Sequence, residues 1–432
     1  MLNMLKASLV GLRAGASGLS GEVEWLSGLP SSLREQVEAI EEALEGAPHP
    51  FVYRLLMEEG TRQVIEEYKR KKEAIRARRK LIDDIRHSLG LRQADIGLVR
   101  DLSNAFGAGE LKAVGVDAGV NYLNLEVAYV PLCCAMAVLC SRFDVDAYMP
   151  RAMDRIPLWD DEVYPDWRAL VISYRLQFEL VEKAVEAWEP DVIFFDGPFL
   201  YSQLMRGRKG TPYWSDFERT LEEGVRALEL CVSKGIPIVG FVKRPEGCSV
   251  ARKLVDAGVL KRPARDTVVL KWMEFGCYLE PMRYVARPEA LGPREVPSRM
   301  AEEYFTRAGK MGVDEEVVSI VFTYVSTGYA FPYKIEVPEP FANRIDELVA
   351  LTLALRAARG IPFPIYAADS LTKMTNTTRS LFLLSLMARL AEEVMKGGLD
   401  EEDMEMFSPR HGESYGLTEE ELERGPRARR RR

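Results

Sequence analysis

Two short runs of uninterrupted apolar residues constrain this chain more than any other feature. "DVIFF" (191–195) and "IPIVGFV" (236–242) lack the polar and apolar alternation of a half-exposed strand and read as strands buried on both faces. Helical periodicity precedes each of them. Trp167, Leu170, Val171, Tyr174, Phe178, Val181, Val185 and Trp188 recur at steps of three and four within 166–189, and a second helix is predicted at about 214–234. Pro190 ends the first helix. Strand, helix, strand in this order implies a parallel sheet. Upstream, 111–140 carries β-branched and aromatic residues in short alternations, which predicts two or three antiparallel strands. Antiparallel strands followed by helix, strand, helix, strand is the order of a ribonuclease H-like mixed sheet flanked by helices, the α/β fold expected here.

The remainder divides around that unit. Residues 1–105 are expected to form a mostly helical region serving partner or DNA contact and dimerisation. Residues 106–398 form the main domain with an insertion at about 245–315, and 399–432 is a flexible tail, acidic and then basic in "RGPRARRRR". A hairpin is predicted around "STGYAFPY" within 318–338, a helix at 341–359, and a turn at 361–369, "IPFPIYAAD", carrying an acid into a late helix. The run "KRKKEAIRARRK" (69–80) is either a solvated helix face or a contact for phosphates or a partner. Leu2, Leu5, Leu9 and Leu12 share one face of an amphipathic N-terminal helix.

The net charge of −8 over 432 residues excludes a generally basic nucleic-acid coat, so any polyanion site must be a local cleft lined with Lys and Arg. The six cysteines, among them Cys133 and Cys134, have neither disulfide-scaffold density nor CxxC spacing. They read as reduced thiols of a soluble, cytoplasmic protein. No apolar run approaches the 20 or so residues of a membrane span.

The chemistry is carried by acids at strand ends. In the expected sheet Asp117, inside "LKAVGVDAGVNY", lies beside Asp196 at the carboxyl end of the central parallel strand, where open α/β sheets place their sites. Two carboxylates that close repel each other unless a cation lies between them. Hard divalent ions prefer oxygen ligands, and a pair of them serves phosphodiester cleavage. Glu179, 17 residues before Asp196, lies on the preceding helix and can lean over the sheet edge. Glu182 competes for that role, with Glu186 less well placed. Asp369 is either an N-cap or a fourth ligand. Asp117 and Asp196 can alternatively be turn residues before Gly119 and Gly197.

The pieces "VGVDAGVN", "YRLQFELVEKAVE", "VIFFDGPFL", "IVGFVKR", "YKIEVPEPF" and "GIPFPIYAADSLTKM", from about 111 to 375, resemble NurA, the archaeal nuclease family that works with the HerA translocase on DNA ends. The resemblance implies a ribonuclease H-like fold, a homodimer, and DNA cleavage with Mn²⁺ or Mg²⁺. It implies 5′–3′ exonuclease and single-strand endonuclease activity in end resection, docked on a HerA-type hexameric ATPase. It also implies metal binding by Asp117, Glu179, Asp196 and Asp369, with Lys243 near the scissile phosphate; in a mechanism of that kind Lys243 or Arg244 holds the phosphate. The chain departs from the family pattern in having Asp369 where a histidine is frequent, Ile361 near a frequent aromatic, and "DAG" for "DGS".

Two other functions fit the same residues. "GVDAG" also resembles the phosphate loop of actin-like ATPases, although a second glycine-rich loop and an adenosine motif are not evident. A non-catalytic dimeric adaptor of a DNA motor is the other. The chain has no P-loop, so any ATP-driven motion must come from a partner.

Overall fold

The computed structural model describes residues 59–72, 88–159, 164–286, 292, 294–329 and 331–409. The chain divides into two compact units, Met1–Leu81 and Ile82–Arg432. In the first unit, 59–72 is helical. The leucines at 2–12, residues 73–80 of the basic run and the tail beyond 409 lie outside the described residues.

In chain order the principal elements of the second unit are β1 (Leu91–Gln93), α1 (Ile96–Ala108), β2 (Ala113–Asn124), β3 (Tyr129–Cys140) and β4 (Ala147–Ala152). Then come α2 (Pro165–Trp188), β5 (Val192–Asp196), α3 (Pro212–Lys234), β6 (Ile238–Val242), β7 (Cys277–Leu279), β8 (Met282–Val285) and β9 (Glu295–Pro297). The last are α4 (Arg299–Met311), β10 (Ile320–Val325), β11 (Tyr333–Pro338), α5 (Ile345–Ala354), α6 (Phe363–Thr372) and α7 (Asn376–Met395). Local chemistry sets these bounds. Pro165 and Pro212 occupy first-turn positions, where a missing N–H costs nothing, and the Thr211 hydroxyl accepts from the Trp214 N–H. Glu189 closes α2 in the left-handed region, and Pro190 prevents its continuation.

One mixed sheet of 11 strands organises the unit, with the main path β1-β7-β10-β11-β6-β5-β2-β3-β4. Within it β4-β3-β2-β5-β6 is the ribonuclease H-like order: β2, β5 and β6 run parallel, and β3 and β4 complete an antiparallel meander. The predicted hairpin is β10 and β11, and β11 is antiparallel to β6. The sheet also draws on residues outside the expected core. β1, upstream of 106, pairs with β7, and the stretch expected as an insertion supplies β7, β8 and β9.

Side-chain alternation sends the strands' residues to two cores. Val114, Val116, Ile193 and Phe195 pack with the apolar stripe of α2 and with α3. Ala113, Val192, Phe194 and Ile335 pack with α5 and α6 on the other face. Phe194 and Phe195 are fully buried, and each contributes roughly 2–3 kcal/mol of transfer free energy. Because strand residues alternate, Asp117 and Asp196 share the face of Ala113 and Val192, beneath α6.

Two local expectations are corrected. "VGVDAGVN" forms no turn at Gly119, because β2 is paired with β3 from Ala113 to Asn124. The same continuity leaves "GVDAG" in mid-strand rather than in a phosphate-binding loop. Asp369 opens no helix: Pro364 takes a first-turn position of α6, so the helix begins at Phe363 and Asp369 lies in its second turn. The prolines of "IPFPIY" start this helix where the sequence suggested a turn.

Candidate metal centre

Two glycines seat the helix that completes the site. A side-chain carbon at Gly115 would lie 2.1 Å from the Pro364 carbonyl, and one at Gly119 would lie 2.0 Å from the Thr372 carbonyl. With Gly at both positions, α6 lies directly on β2 on either side of Asp117. The Thr372 hydroxyl then donates to Asp117 Oδ2 at 2.6 Å, and Asp117 is 7% exposed. Asp369, one turn earlier on α6, faces the same point.

The parallel register supplies the second acid. Val116 pairs with Phe195, so the next residues, Asp117 and Asp196, stand side by side at the carboxyl ends of β2 and β5. Oxygens of Asp117, Asp196 and Asp369 all lie within 4.8 Å of one another. Lys243, just past the end of β6, meets two of them: its Nζ is 2.8 Å from Asp196 and 2.9 Å from Asp369.

The charges do not balance, since among the described residues Lys243 is the one cation in ion-pair contact with any of the three carboxylates. Burial, followed by the Asp117 charge, holds the Asp196 carboxyl well above the ordinary carboxylate range despite Lys243. Burial works against the charge of Lys243, but Asp196 and Asp369 outweigh it and raise its pKa. A cluster of hard oxygen donors with an unmet demand for positive charge fits a divalent ion of the Mg²⁺ or Mn²⁺ type. Asp117, Asp196 and Asp369 are the residues that would hold it. The cluster opens into a cavity of about 760 Å³ that is also lined by Arg244, Tyr329, Phe331, Arg359 and Lys373.

Glu179 is placed elsewhere. Its carboxylate is 2.6 Å from Arg151 Nε and 3.7 Å from Arg175 Nε, on α2 and therefore beside the opposite face of the sheet. Its level matches the site, because Arg151 pairs with Ala135, which pairs with Ala118. Glu182 is half-buried near Glu223, and burial together with that neighbour raises its pKa to about 7. Glu186 is exposed.

Further residues support the centre without having been singled out in the sequence. Glu336 on β11 is fully buried; its carboxylate accepts from the Phe199 N–H at 2.7 Å and the Leu200 N–H at 3.4 Å, in the loop that follows Asp196. Lys334 on the same face of β11 neutralises it at 2.5 Å, and donates to the Tyr284 hydroxyl at 2.9 Å. Opposite charges two residues apart in the apolar "YKIEVP" are the sequence signal for this pair. The hydroxyl of Thr372 carries no comparable signal.

Sequence comparison decides the affiliation. The NurA domain profile matches residues 159–374, half of the chain. The chain belongs to the NurA domain family. Glu179, Asp196, Lys243 and Asp369 fall within the matched stretch, and Asp117 lies upstream of it. Comparison with curated protein sequences gives no match. Among solved structures, the NurA nuclease from Sulfolobus solfataricus aligns at 12% identity over 81% of this chain and 98% of its own, with a TM-score of 0.49. A NurA structure bound to dAMP and manganese aligns at 13% identity over 81% and 98%, with a TM-score of 0.46. An endonuclease V from Streptomyces avermitilis aligns at 16% identity over 65% and 92%, with a TM-score of 0.28. No helix among the described residues is long and apolar enough to cross a membrane.

Proposed function

We propose that this NurA-family chain is a divalent-cation-dependent deoxyribonuclease whose site is the cluster of Asp117, Asp196 and Asp369. The observation that carries the reading is the convergence of three carboxylates within 4.8 Å at the ends of adjacent parallel strands, with one lysine to offset them. A Mn²⁺ or Mg²⁺ ion, or a pair of them, bound there supplies Lewis acidity to a phosphodiester and lowers the pKa of water. The protein's own groups do the rest. Lys243 and Arg244 hold the phosphate and stabilise charge developing on its oxygens. Glu336, through the N–H groups of Phe199 and Leu200, fixes the loop behind Asp196 and so its orientation. Glu179 is proposed as a further contributor, on the family resemblance and its level in the sheet; joining the cluster requires it to leave Arg151.

The finer reading is that this nuclease works on DNA ends, with 5′–3′ exonuclease and single-strand endonuclease activity, as a homodimer docked on a HerA-type hexameric ATPase. Family membership supports it, and so does charge: two copies facing each other double the basic lining available to an otherwise acidic chain. The test is cleavage of end-labelled DNA with Mn²⁺, with Mg²⁺ and with EDTA, each with and without a HerA-type ATPase. Metal-dependent products that vanish in EDTA are expected. Products that persist in EDTA, or no products under any condition, would refute the assignment. An adaptor would bind the ATPase and cut nothing.

A further inference from the structure

The cavity that holds the acids is also lined by two aromatic residues that the phosphate chemistry does not use. Tyr329 and Phe331, in the loop joining β10 to β11, are 49% and 44% exposed, whereas Tyr333 at the end of the same loop is buried. Large aromatics left open beside a charged cleft need a reason, because burying them is worth more than exposing them. This loop is braced and not merely exposed. The Gly276 N–H donates to the Ser326 carbonyl at 2.9 Å, and the Ser326 hydroxyl donates to the Met273 carbonyl at 2.9 Å.

The neighbouring turn is built into the same wall. A side-chain carbon at Gly360 would meet the Thr327 hydroxyl oxygen at 2.0 Å, so the Gly360 backbone packs directly against the Thr327 side chain. The Tyr333 hydroxyl donates to the Arg359 carbonyl, and Arg359 is held at φ 61°, a left-handed conformation unusual for a residue with a side chain. Cations share the cavity with the rings. Lys271 Nζ is 5.5 Å from the Phe331 ring centre, and Arg244, Arg359 and Lys373 are exposed in or beside the cavity. Exposed aromatic faces interleaved with Lys and Arg are the composition of a stacking platform for single-stranded nucleic acid.

We infer that Tyr329 and Phe331 stack an unpaired nucleobase of the strand whose phosphate lies at the aspartate cluster. This rests on the nuclease reading for its choice of ligand. A base inside a duplex has both faces covered by its neighbours, whereas a frayed or single-stranded nucleotide can offer a face to the platform. The wall thereby selects the strand end presented to Lys243 and the acids.

The experiment measures binding of fluorescein-labelled 12-nucleotide strands to the full chain by anisotropy in EDTA, so that nothing is cut. Wild type, Tyr329→Ala, Phe331→Ala and the double variant are compared on a base-containing strand, an abasic strand of equal phosphate count, and a blunt duplex. Wild type is expected to prefer the base-containing strand, and each ring to contribute about tenfold. The double variant should bind both single strands alike, with duplex binding unchanged. The inference is overturned if wild type shows no preference for bases. It is also overturned if the double variant keeps that preference, or weakens all three ligands equally. Because cleavage is not read, loss of the nuclease assignment and loss of this inference are separate results.

Discussion

Asp117, Asp196 and Asp369 cluster together, and among the described residues one cation, Lys243, pairs with two of them, whereas Glu179 on the helix covering the opposite face has two arginines within 3.7 Å. Both groups are acids at the same level of one sheet. The difference lies in what balances them. Around Glu179, opposite charges approach in numbers that nearly cancel, and Arg175 and Arg168 continue the pairing to Asp216 on α3. That network ties α2 to α3 and to β4, and its logic is structural. The aspartate cluster is under-neutralised, costs stability in the absence of a further cation, and is retained where a ligand can meet the cost.

Substitutions that remove ligand oxygens should break this contrast most strongly. Asp117→Asn and Asp196→Asn are each expected to lower Mn²⁺-dependent cleavage at least about 100-fold, the scale of several kcal/mol of lost charge stabilisation. Metal-free melting temperatures should be unchanged or higher. The sign follows from Asp196: its folded pKa is raised, so its ionised form costs stability increasingly as pH climbs above the ordinary carboxylate value, and Asn removes that cost. A variant that melts much earlier yet still cuts would make these aspartates structural.

Glu179→Gln sharpens the contrast at smaller amplitude. Loss of about tenfold in cleavage is expected if it contributes to the site, the scale of an outer ligand-supporting group. Melting should also fall, because Arg151 and Arg175 each lose one of their two carboxylate partners. Normal cleavage by this variant would confine the site to the three aspartates.

Glu182→Gln gives the smallest effect, and only on stability. Burial and Glu223 raise its pKa to about 7, so the ionised form costs folding free energy from the ordinary carboxylate value upward and most fully above pH 7. The amide should stabilise by on the order of 1 kcal/mol at pH 8 after allowance for partial exposure, and not at pH 4. Urea melts at the two pH values check this; unchanged cleavage separates Glu182 from Glu179.

How much of this was legible in the chain depended on the range of the interaction. The stripe of α2 and the unbroken runs of β5 and β6 are local patterns, and the structure has them close to their expected bounds. Asp117 and Asp196 could be brought together because strand order fixes which residues end side by side. Proline punctuates turns and helix starts alike, so the sequence suggests a turn that ends in Asp369, whereas the prolines of "IPFPIY" start α6 and leave Asp369 inside it. Glu336 owes its role to long-range contacts. Its partners Phe199 and Leu200 lie more than 130 positions away, and they meet it only because β11 adds antiparallel to β6. No local periodicity encodes that pairing.

The claim underlying all of this is that the aspartate cluster is a divalent-cation site. Titration of the DNA-free protein with Mn²⁺, followed by the electron paramagnetic resonance signal of the free ion, tests it directly. Wild type should take up Mn²⁺, more tightly as rising pH removes the proton that Asp196 retains. The Asp117→Asn/Asp196→Asn double variant should melt no earlier than wild type and take up none at this site. Equal uptake by the two proteins would contradict the account.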